Sequence, residues 1–325
     1  MPTPSALFPI LFTFSTACAL FRSCVAFSPT PHALQASASM ALSLSTVAKK
    51  ADDGDVDGRI ERSVEEVSAA LSDALWNVNY LMDPEFWQTS TTPAVLRSFY
   101  EKTLATSGIT KESTIPQAGR GLFAARDLKA GSIVTLYPVH TIGINFFEGG
   151  SEWVALDETD QDYFMAASDN DEPNYSLFLL GNRKKEADFD GTMIVDCNPN
   201  RPDLTGWMAH RINDGAVIME NSENDILQYL EKSLQTQNTV IAPWGPSPLL
   251  AAFTTRDIRK GEELFTSYGL AYWLDATVPN KDEWVEKTDR IRSQEKDLFE
   301  QYLHYSHAGF FQREAGALQI IFDEL

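Results

Sequence analysis

The chain has 325 residues, 43% of them apolar, enough for one large domain or two small ones. Its formal net charge of −20 is unevenly placed: residues 1–50 hold Arg22, Lys49 and Lys50 and no acid, while the other 275 carry 23 basic and all 46 acidic groups. So acidic a body argues against direct nucleic-acid binding, which needs lysine and arginine to neutralise phosphate; it suits basic protein partners, and it equally serves plain solubility.

Residues 1–50 read as an address. Ala6–Leu20 is an apolar run of signal length, broken by Pro and Ser and too short to span a bilayer, so no membrane segment is expected in the mature form. Cys24-Val25-Ala26 places small residues as signal peptidase requires, and the following stretch is Ser/Ala-rich and acid-free. The junction SCVAFSPT, with Phe27 after the small-residue site, resembles the signal-plus-transit leader of proteins sent to algal complex plastids. The expected location is the plastid stroma; the alternatives are an ordinary secretory signal, or a nuclear or cytosolic protein with an apolar start. Cys18 and Cys24 fall in this leader, leaving Cys197 with no internal disulfide partner. With no Cys/His cluster in the sequence, no metal site is expected.

Residues 51–112 read as an acidic linker and a helical N-flank. Asp53, Asp55, Asp57 and Gly58 imitate a calcium loop, but Val64 stands where the twelfth-position carboxylate belongs. Ile60, Val64, Val67, Leu71, Leu75 and Val78 share one helical face. Asp83-Pro84 breaks that helix, and Thr92-Pro93 opens a second one running through Tyr100.

From about Thr114 to Leu274 short β-like runs alternate with Gly, Asn and Pro. Two stretches nearly repeat: LFAARDLKAGSIVTLYP, Leu122–Pro138, and AFTTRDIRKGEELFTSYG, Ala252–Gly269. Each reads as strand–turn–strand, with Asp for the turn and Gly for positive φ, so hairpin chemistry explains the shared Arg-Asp-x-x-x-Gly. It does not explain the flanks: Gly119-Arg120-Gly121 before the first stretch, Arg211-Ile212-Asn213-Asp214-Gly215 between the two, and Ser267-Tyr268-Gly269 closing the second.

In this order and spacing the three blocks resemble the SET domain of protein lysine methyltransferases, over about residues 113–270. The resemblance implies an α+β class, a SET fold of short β-sheets with knot-like closure, flanked by N-terminal helices and by a helical C-flank at 271–325. The near-repeats are then the first and last hairpins of one domain, not a tandem repeat. A variable insert is expected at about 143–206. The implied activity is methyl transfer from S-adenosylmethionine, as methyl donor, to a lysine side chain of a protein substrate, with no metal. Tyr268 takes the family's tyrosine position and is the candidate catalytic group, orienting the neutral amine. Gly119, Arg120, Gly121, Leu122, Arg211, Ile212, Asn213, Asp214 and Trp273 are the candidate cofactor-binding residues. Asn213 would bond the cofactor's amino-acid end, and Trp273 would cover its adenine.

The chain departs from the family pattern at two places. Asp214 stands where the family has His, and Gly215 where it has Ser. Asp accepts hydrogen bonds but does not stack, and its charge would favour a sulfonium and oppose a carboxylate. About twenty residues, Val217–Gln237, then intervene before Asn238-Thr239-Val240 resumes the strand pattern, and they read as a solvated helix around Leu227–Leu234 after a polar run, Glu220–Asp225. A catalytically inactive SET module that binds a protein or peptide partner is therefore one alternative, and a histone lysine methyltransferase another. Of the remaining candidates, Cys197 with His210 lacks a third orienting group, so His210 reads as structural. The run Ser168–Asn174 reads as a solvated loop, and His304 with His307 as a pair too small to hold a metal. Trp153, Tyr163, Phe164, Tyr175 and Phe178 read mainly as core, and Trp284, Ile291, Leu298 and Tyr302 as one helical stripe.

Overall fold

The computed structural model describes residues 64–146, 151–169, 177–179, 191–218, 222–244, 249–270, 272–273 and 281–305. The leader, the acidic linker, most of the Ser168–Asn174 run, Tyr175 and His307 lie outside them, as do the side chains of Phe178, Trp284 and His304.

Helix α1, Val64–Met82, buries Val67, Leu71, Leu75 and Val78 on the expected face. The Asp83 carboxylate ends it and caps α2, Pro84–Gln88, by accepting from the Glu85 N–H at 2.8 Å. Helix α3, Ala94–Phe99, has no side-chain cap, since Pro93 at the cap position offers no acceptor, and the Thr92 hydroxyl donates to the Phe86 carbonyl. Its rod runs past Tyr100 through a π-helical turn, Tyr100–Leu104, to Ser107. This is longer than the sequence suggests. Trp87, buried beneath, stacks on Tyr100 at 5.1 Å and fixes the turn by packing.

Eleven short strands make up the described sheets. Antiparallel β1, Gly108–Glu112, and β2, Arg120–Ala124, form a ribbon. Strands β3, Ile133–Leu136, β9, Thr239–Pro243, and β10, Leu250–Thr254, form a sheet in the order β3-β10-β9. Strands β4, Thr141–Phe146, β5, Ser151–Ala155, β6, Leu177–Leu179, and β7, Gly191–Asp196, form another in the order β5-β4-β7-β6. Trp153 lies across Gly143, where an added Cβ would stand 2.3 Å from the indole, and packs on Phe164 at 4.2 Å from helix α4, Glu158–Asp169. The last pair, β8, Asn213–Asp214, and β11, Phe265–Thr266, is parallel.

The near-repeats are brought together as expected, but neither is a hairpin. Strands β2 and β3 go to different sheets, as do β10 and β11. The two stretches pair with each other across a local pseudo-twofold. Leu128 and Ile258 exchange both backbone hydrogen bonds at 2.9 Å. The Gly131 N–H donates to the Thr254 carbonyl and the Gly261 N–H to the Ala124 carbonyl, each at 2.8 Å. Asp127 Oδ1 accepts from the Lys260 N–H at 2.8 Å, and Asp257 Oδ1 from the Ala130 N–H at 3.0 Å. Both corner glycines take positive φ, 77° at Gly131 and 84° at Gly261. Turn residues specify that the chain bends; they do not choose which strand it pairs with afterwards.

Two hydrophobic clusters result. The larger joins α1–α3 to the strands around Leu122, Val134, Ile142, Ile212 and Leu264. The smaller joins Ala216, Ile218 and Leu270 to helix α5, Glu223–Thr236, and to α6, Lys281–Gln294, and α7, Lys296–Tyr305. Helix α5 starts at an Ser222 cap that accepts from the Asp225 N–H. It is not solvated all round: Ile226, Tyr229, Leu230 and Ser233 are buried on its inner face. In the C-flank Ile291, Phe299 and Tyr302 are buried. Among the described residues no helix is long and apolar enough to cross a membrane.

Candidate functional site

The parallel pairing of β8 with β11 brings the Arg211–Gly215 and Ser267–Gly269 blocks together, with Phe265 opposite Asn213 and Thr266 opposite Asp214. The Gly-Arg-Gly block joins from the other side. The Leu264 N–H donates to the Leu122 carbonyl at 2.8 Å, and Asn213 Nδ2 donates to the Arg120 carbonyl at 3.2 Å. The three sequence blocks are thus one structural unit.

Asp214 is its hub. The carboxylate is 3% exposed, and Oδ2 accepts from the Tyr229 hydroxyl at 2.8 Å, the Tyr268 N–H at 2.9 Å and Trp273 Nε1 at 2.9 Å. Oδ1 accepts from the Ala216 N–H at 3.0 Å. Burial pushes the Asp214 carboxyl up from the ordinary range, and the four donors pull against that. Among the described residues no lysine, arginine or histidine pairs with it. Tyr229 carries the network onward: its hydroxyl lies 3.0 Å from Ser267 Oγ and accepts from the Gly269 N–H at 3.2 Å, and Ser267 Oγ lies 3.2 Å from the Tyr302 hydroxyl. Burial raises both phenols, which keeps them protonated, and the Tyr229 hydroxyl donates to Asp214.

Tyr268 sits above this hub and is 38% exposed. Its hydroxyl donates to the Ile212 carbonyl at 3.2 Å. Trp273 stacks parallel to it at 6.3 Å, and Tyr272 meets both rings edge-on. The result is an aromatic surface over a buried carboxylate.

The glycines differ in kind. Gly119 has φ 68° with open space where a side chain would start. At Gly121 an added Cβ would stand 2.1 Å from Glu263 Oε1 and 3.2 Å from Asn213 Nδ2. Glu263 is buried there, accepting from Ser113 Oγ at 2.6 Å and the Thr114 N–H at 2.7 Å. The two arginines point away from Asp214. Arg120 ion-pairs with Asp203 at 3.1 Å and Arg211 with the same carboxylate at 2.9 Å, and Arg211 also donates to the Pro199 carbonyl. His210 Nε2 lies 3.6 Å from Asp203. His210 and Arg211 hold Asp203 well below the usual carboxylate range. Leu122 and Ile212 are buried, so their side chains are core and only their backbone faces the site.

Sequence reasoning missed Tyr229 as a partner of Asp214, Ser267 and Tyr302 as the network behind it, and Asp203 and Glu263 as anchors. Tyr229 carried a signal: with Ile226 and Leu230 it falls on one apolar stripe of α5. Buried Cys197, its thiol pushed well up by burial, takes no part. A separate cleft of about 420 Å³, bordered by Trp76, Tyr80, Asp83, His140 and Arg201, includes none of the candidate residues. Among the described residues no group of three or more His, Cys, Asp or Glu is placed to hold a metal.

The SET domain family matches residues 119–269. No curated protein sequence matches the chain. Solved structures similar to it include ATXR5 in complex with mono-methylated histone H3.1, at 16% identity and a TM-score of 0.31, covering 54% of this chain and 62% of that one. Another is the ATXR5 SET domain in complex with di-methylated histone H3, at 15% identity and a TM-score of 0.34, covering 57% and 68%. The family match and the β8–β11 closure, not these distant superpositions, identify residues 119–269 of this chain as a SET domain.

Proposed function

We propose that the protein is an S-adenosylmethionine-dependent protein lysine methyltransferase. The observation that carries this reading is the Tyr268 phenol, half-exposed at the edge of the aromatic surface and held by the Ile212 carbonyl beside Asn213. The methyl donor, when bound, supplies an electrophilic methyl group on a sulfonium. The residues present fit such a cation: a buried carboxylate with no basic partner among the described residues accepts from the edge of the Trp273 indole and from the Tyr268 backbone, and the faces of those two rings attract positive charge.

The chain's own residues then act on the amine. A lysine amine has a reference pKa of about 10.4 and must be neutral to attack. With the donor bound, its sulfonium would disfavour the ammonium by like-charge repulsion beside the ring of Tyr268. The Tyr268 hydroxyl orients the nitrogen, and the rigid backbone at Ile212 and Asn213 holds the phenol in place. With the donor bound, the new N–C bond would form as its C–S bond breaks, the displaced pair staying on sulfur as a neutral thioether. The acidic body draws basic peptides to the site.

The test is calorimetric titration of S-adenosylmethionine into the chain from Ala51, with Asn213→Ala alongside. Micromolar-range binding that weakens in the variant supports the reading, and a folded chain that binds no donor overturns it. The second reading, a partner-binding SET module without turnover, is motivated by Asp214 at the family's His position. That reading predicts captured protein partners that Tyr268→Phe leaves bound. For location we propose the plastid stroma, on the composition of residues 1–50; a C-terminal fluorescent fusion found in the nucleus would instead favour a histone substrate.

A further inference from the structure

We infer that Asp214 is a charge sensor for the methyl donor: its buried carboxylate is the counter-ion of the sulfonium and favours the charged donor over the neutral spent one. The inference rests on the methyltransferase reading and deepens it.

The argument starts from a buried charge. Carboxylates as buried as Asp214 are ordinarily paired with a cation. Asp214 has four hydrogen-bond donors and no basic partner among the described residues. All four donors are neutral groups; they orient and partly stabilise the carboxylate without cancelling its charge. Among the described residues no positive charge faces it, which leaves water, a proton or a ligand as candidates there. Water is screened off by Tyr268 and Trp273, whose N–H groups both point inward at Oδ2. Those two rings form the exposed aromatic surface, so a cation resting on it lies one residue layer from the carboxylate.

The chain invests structure in holding this charge still. Tyr229 comes from α5, inside the segment that interrupts the family pattern, and its buried hydroxyl serves Asp214, Ser267 and Gly269 at once. Tyr302, from α7, braces Ser267. Tyr229 is thus a positioning residue for Asp214. A neutral histidine at position 214 would not need such a cage, and a solvated aspartate would not be held by one.

The consequence is directional. Before transfer the sulfur carries the positive charge and is attracted to Asp214. After transfer the sulfur is neutral and that attraction is gone, so spent donor leaves more readily. S-adenosylmethionine and S-adenosylhomocysteine differ only in the methyl and its charge, so the ratio of their affinities isolates the effect from contacts to the rest of the molecule.

The experiment measures both dissociation constants on the chain from Ala51, for the native protein, Asp214→Asn and Asp214→His. Native protein should prefer the charged ligand by about tenfold, as expected for charges separated by one residue layer in a partly desolvated site. Both variants should lose most of that preference while still binding S-adenosylhomocysteine. A pH series on native protein guards against variants that fail to fold. The titratable groups facing Asp214 are Tyr229 and Tyr268 beside it and Tyr302 behind, and burial pushes the Tyr229 and Tyr302 phenols up, away from the acid range. The preference should fall at acid pH, because burial raises the Asp214 carboxyl and a protonated carboxyl offers no counter-charge. Equal affinity of native protein for both ligands, or an unchanged ratio in the variants, overturns the inference and leaves the methyltransferase reading standing. Binding of neither ligand by native protein overturns that reading, and the inference with it.

Discussion

The Tyr268 backbone N–H donates to Asp214 Oδ2 at 2.9 Å while its phenol reaches back to the Ile212 carbonyl at 3.2 Å, so one residue is fixed at both ends, by β8 and by the residue that leads into it. This two-point fixing separates the roles of the phenol and the carboxylate. Tyr268→Phe keeps the ring, its stack on Trp273 and the N–H to Asp214, and removes only the hydroxyl. Methyl transfer to protein acceptors should fall by about 10²-fold or more, the usual scale for losing an orienting or proton-handling group. Affinity for S-adenosylmethionine should stay within about threefold, since the variant removes no contact to the carboxylate. Single-turnover rates with labelled donor and a stromal extract, beside calorimetry, measure the two separately; a parallel loss of binding would place the phenol in the donor site instead.

Gly119 and Gly121 make opposite predictions although they are two residues apart. Gly119 has positive φ and empty space before it, so Gly119→Ala carries only backbone strain of about 1 kcal/mol, and Gly119→Asn less. Gly121 faces Glu263 Oε1 at 2.1 Å from an added Cβ, and Glu263 is itself held by Ser113 and Thr114. Gly121→Ala must push a buried, bonded carboxylate aside and should cost about 2 kcal/mol or more, on the scale of overpacking. Chemical denaturation of the two variants gives the order, and equal losses would mean that Glu263 moves freely.

How much was legible in the sequence follows from the range of each interaction. The amphipathic face of α1, the Asp83-Pro84 break and the resumption of β-structure at Asn238 depend on neighbours a few residues away, and periodicity and turn chemistry report those. The block order Gly-Arg-Gly, Arg-Ile-Asn, Ser-Tyr-Gly carried the domain. Two things were not legible. The near-repeats looked like hairpins because Asp and Gly at a corner encode a bend, whereas the partner strand lies 130 residues away and is chosen by packing. The cage around Asp214 draws on β8, α5, β11 and α7, and no local pattern announces that Tyr229 and Asp214 will meet.

The reciprocal corners predict matched variants. Asp127 accepts from the Lys260 N–H and Asp257 from the Ala130 N–H, so each carboxylate satisfies a turn on the other stretch. Asp257 also pairs with Lys129, but both groups are exposed and such a pair adds little. Asp127→Ala and Asp257→Ala should therefore lower the melting temperature by similar amounts, and the corresponding Asn variants, which keep an acceptor oxygen, should recover most of the loss. Calorimetric melts decide it: a much larger effect at Asp257 than at Asp127 would put the ion pair, not the backbone acceptor, in charge of the corner.

The last prediction concerns acid stability. His140 is buried, and its Nδ1 accepts from the Asn198 N–H at 2.9 Å, so the neutral ring is the form that fits. Burial lowers its pKa to about 4, with Arg201 and His210 acting in the same direction and Asp160 and Asp157 opposing. In the unfolded chain the ring titrates near about 6.5. Between those values the unfolded state binds the proton and the folded state does not, so stability falls as pH drops from about 6.5 to 4. The full difference of the two pKa values corresponds to about 3 kcal/mol, an upper figure for one ring. Urea denaturation at pH 7, 6 and 5 should show this slope in the native protein, and His140→Gln, which keeps an acceptor for Asn198 but cannot be protonated, should flatten it. An unchanged slope in the variant would assign the acid sensitivity to other groups and leave His140 as packing alone.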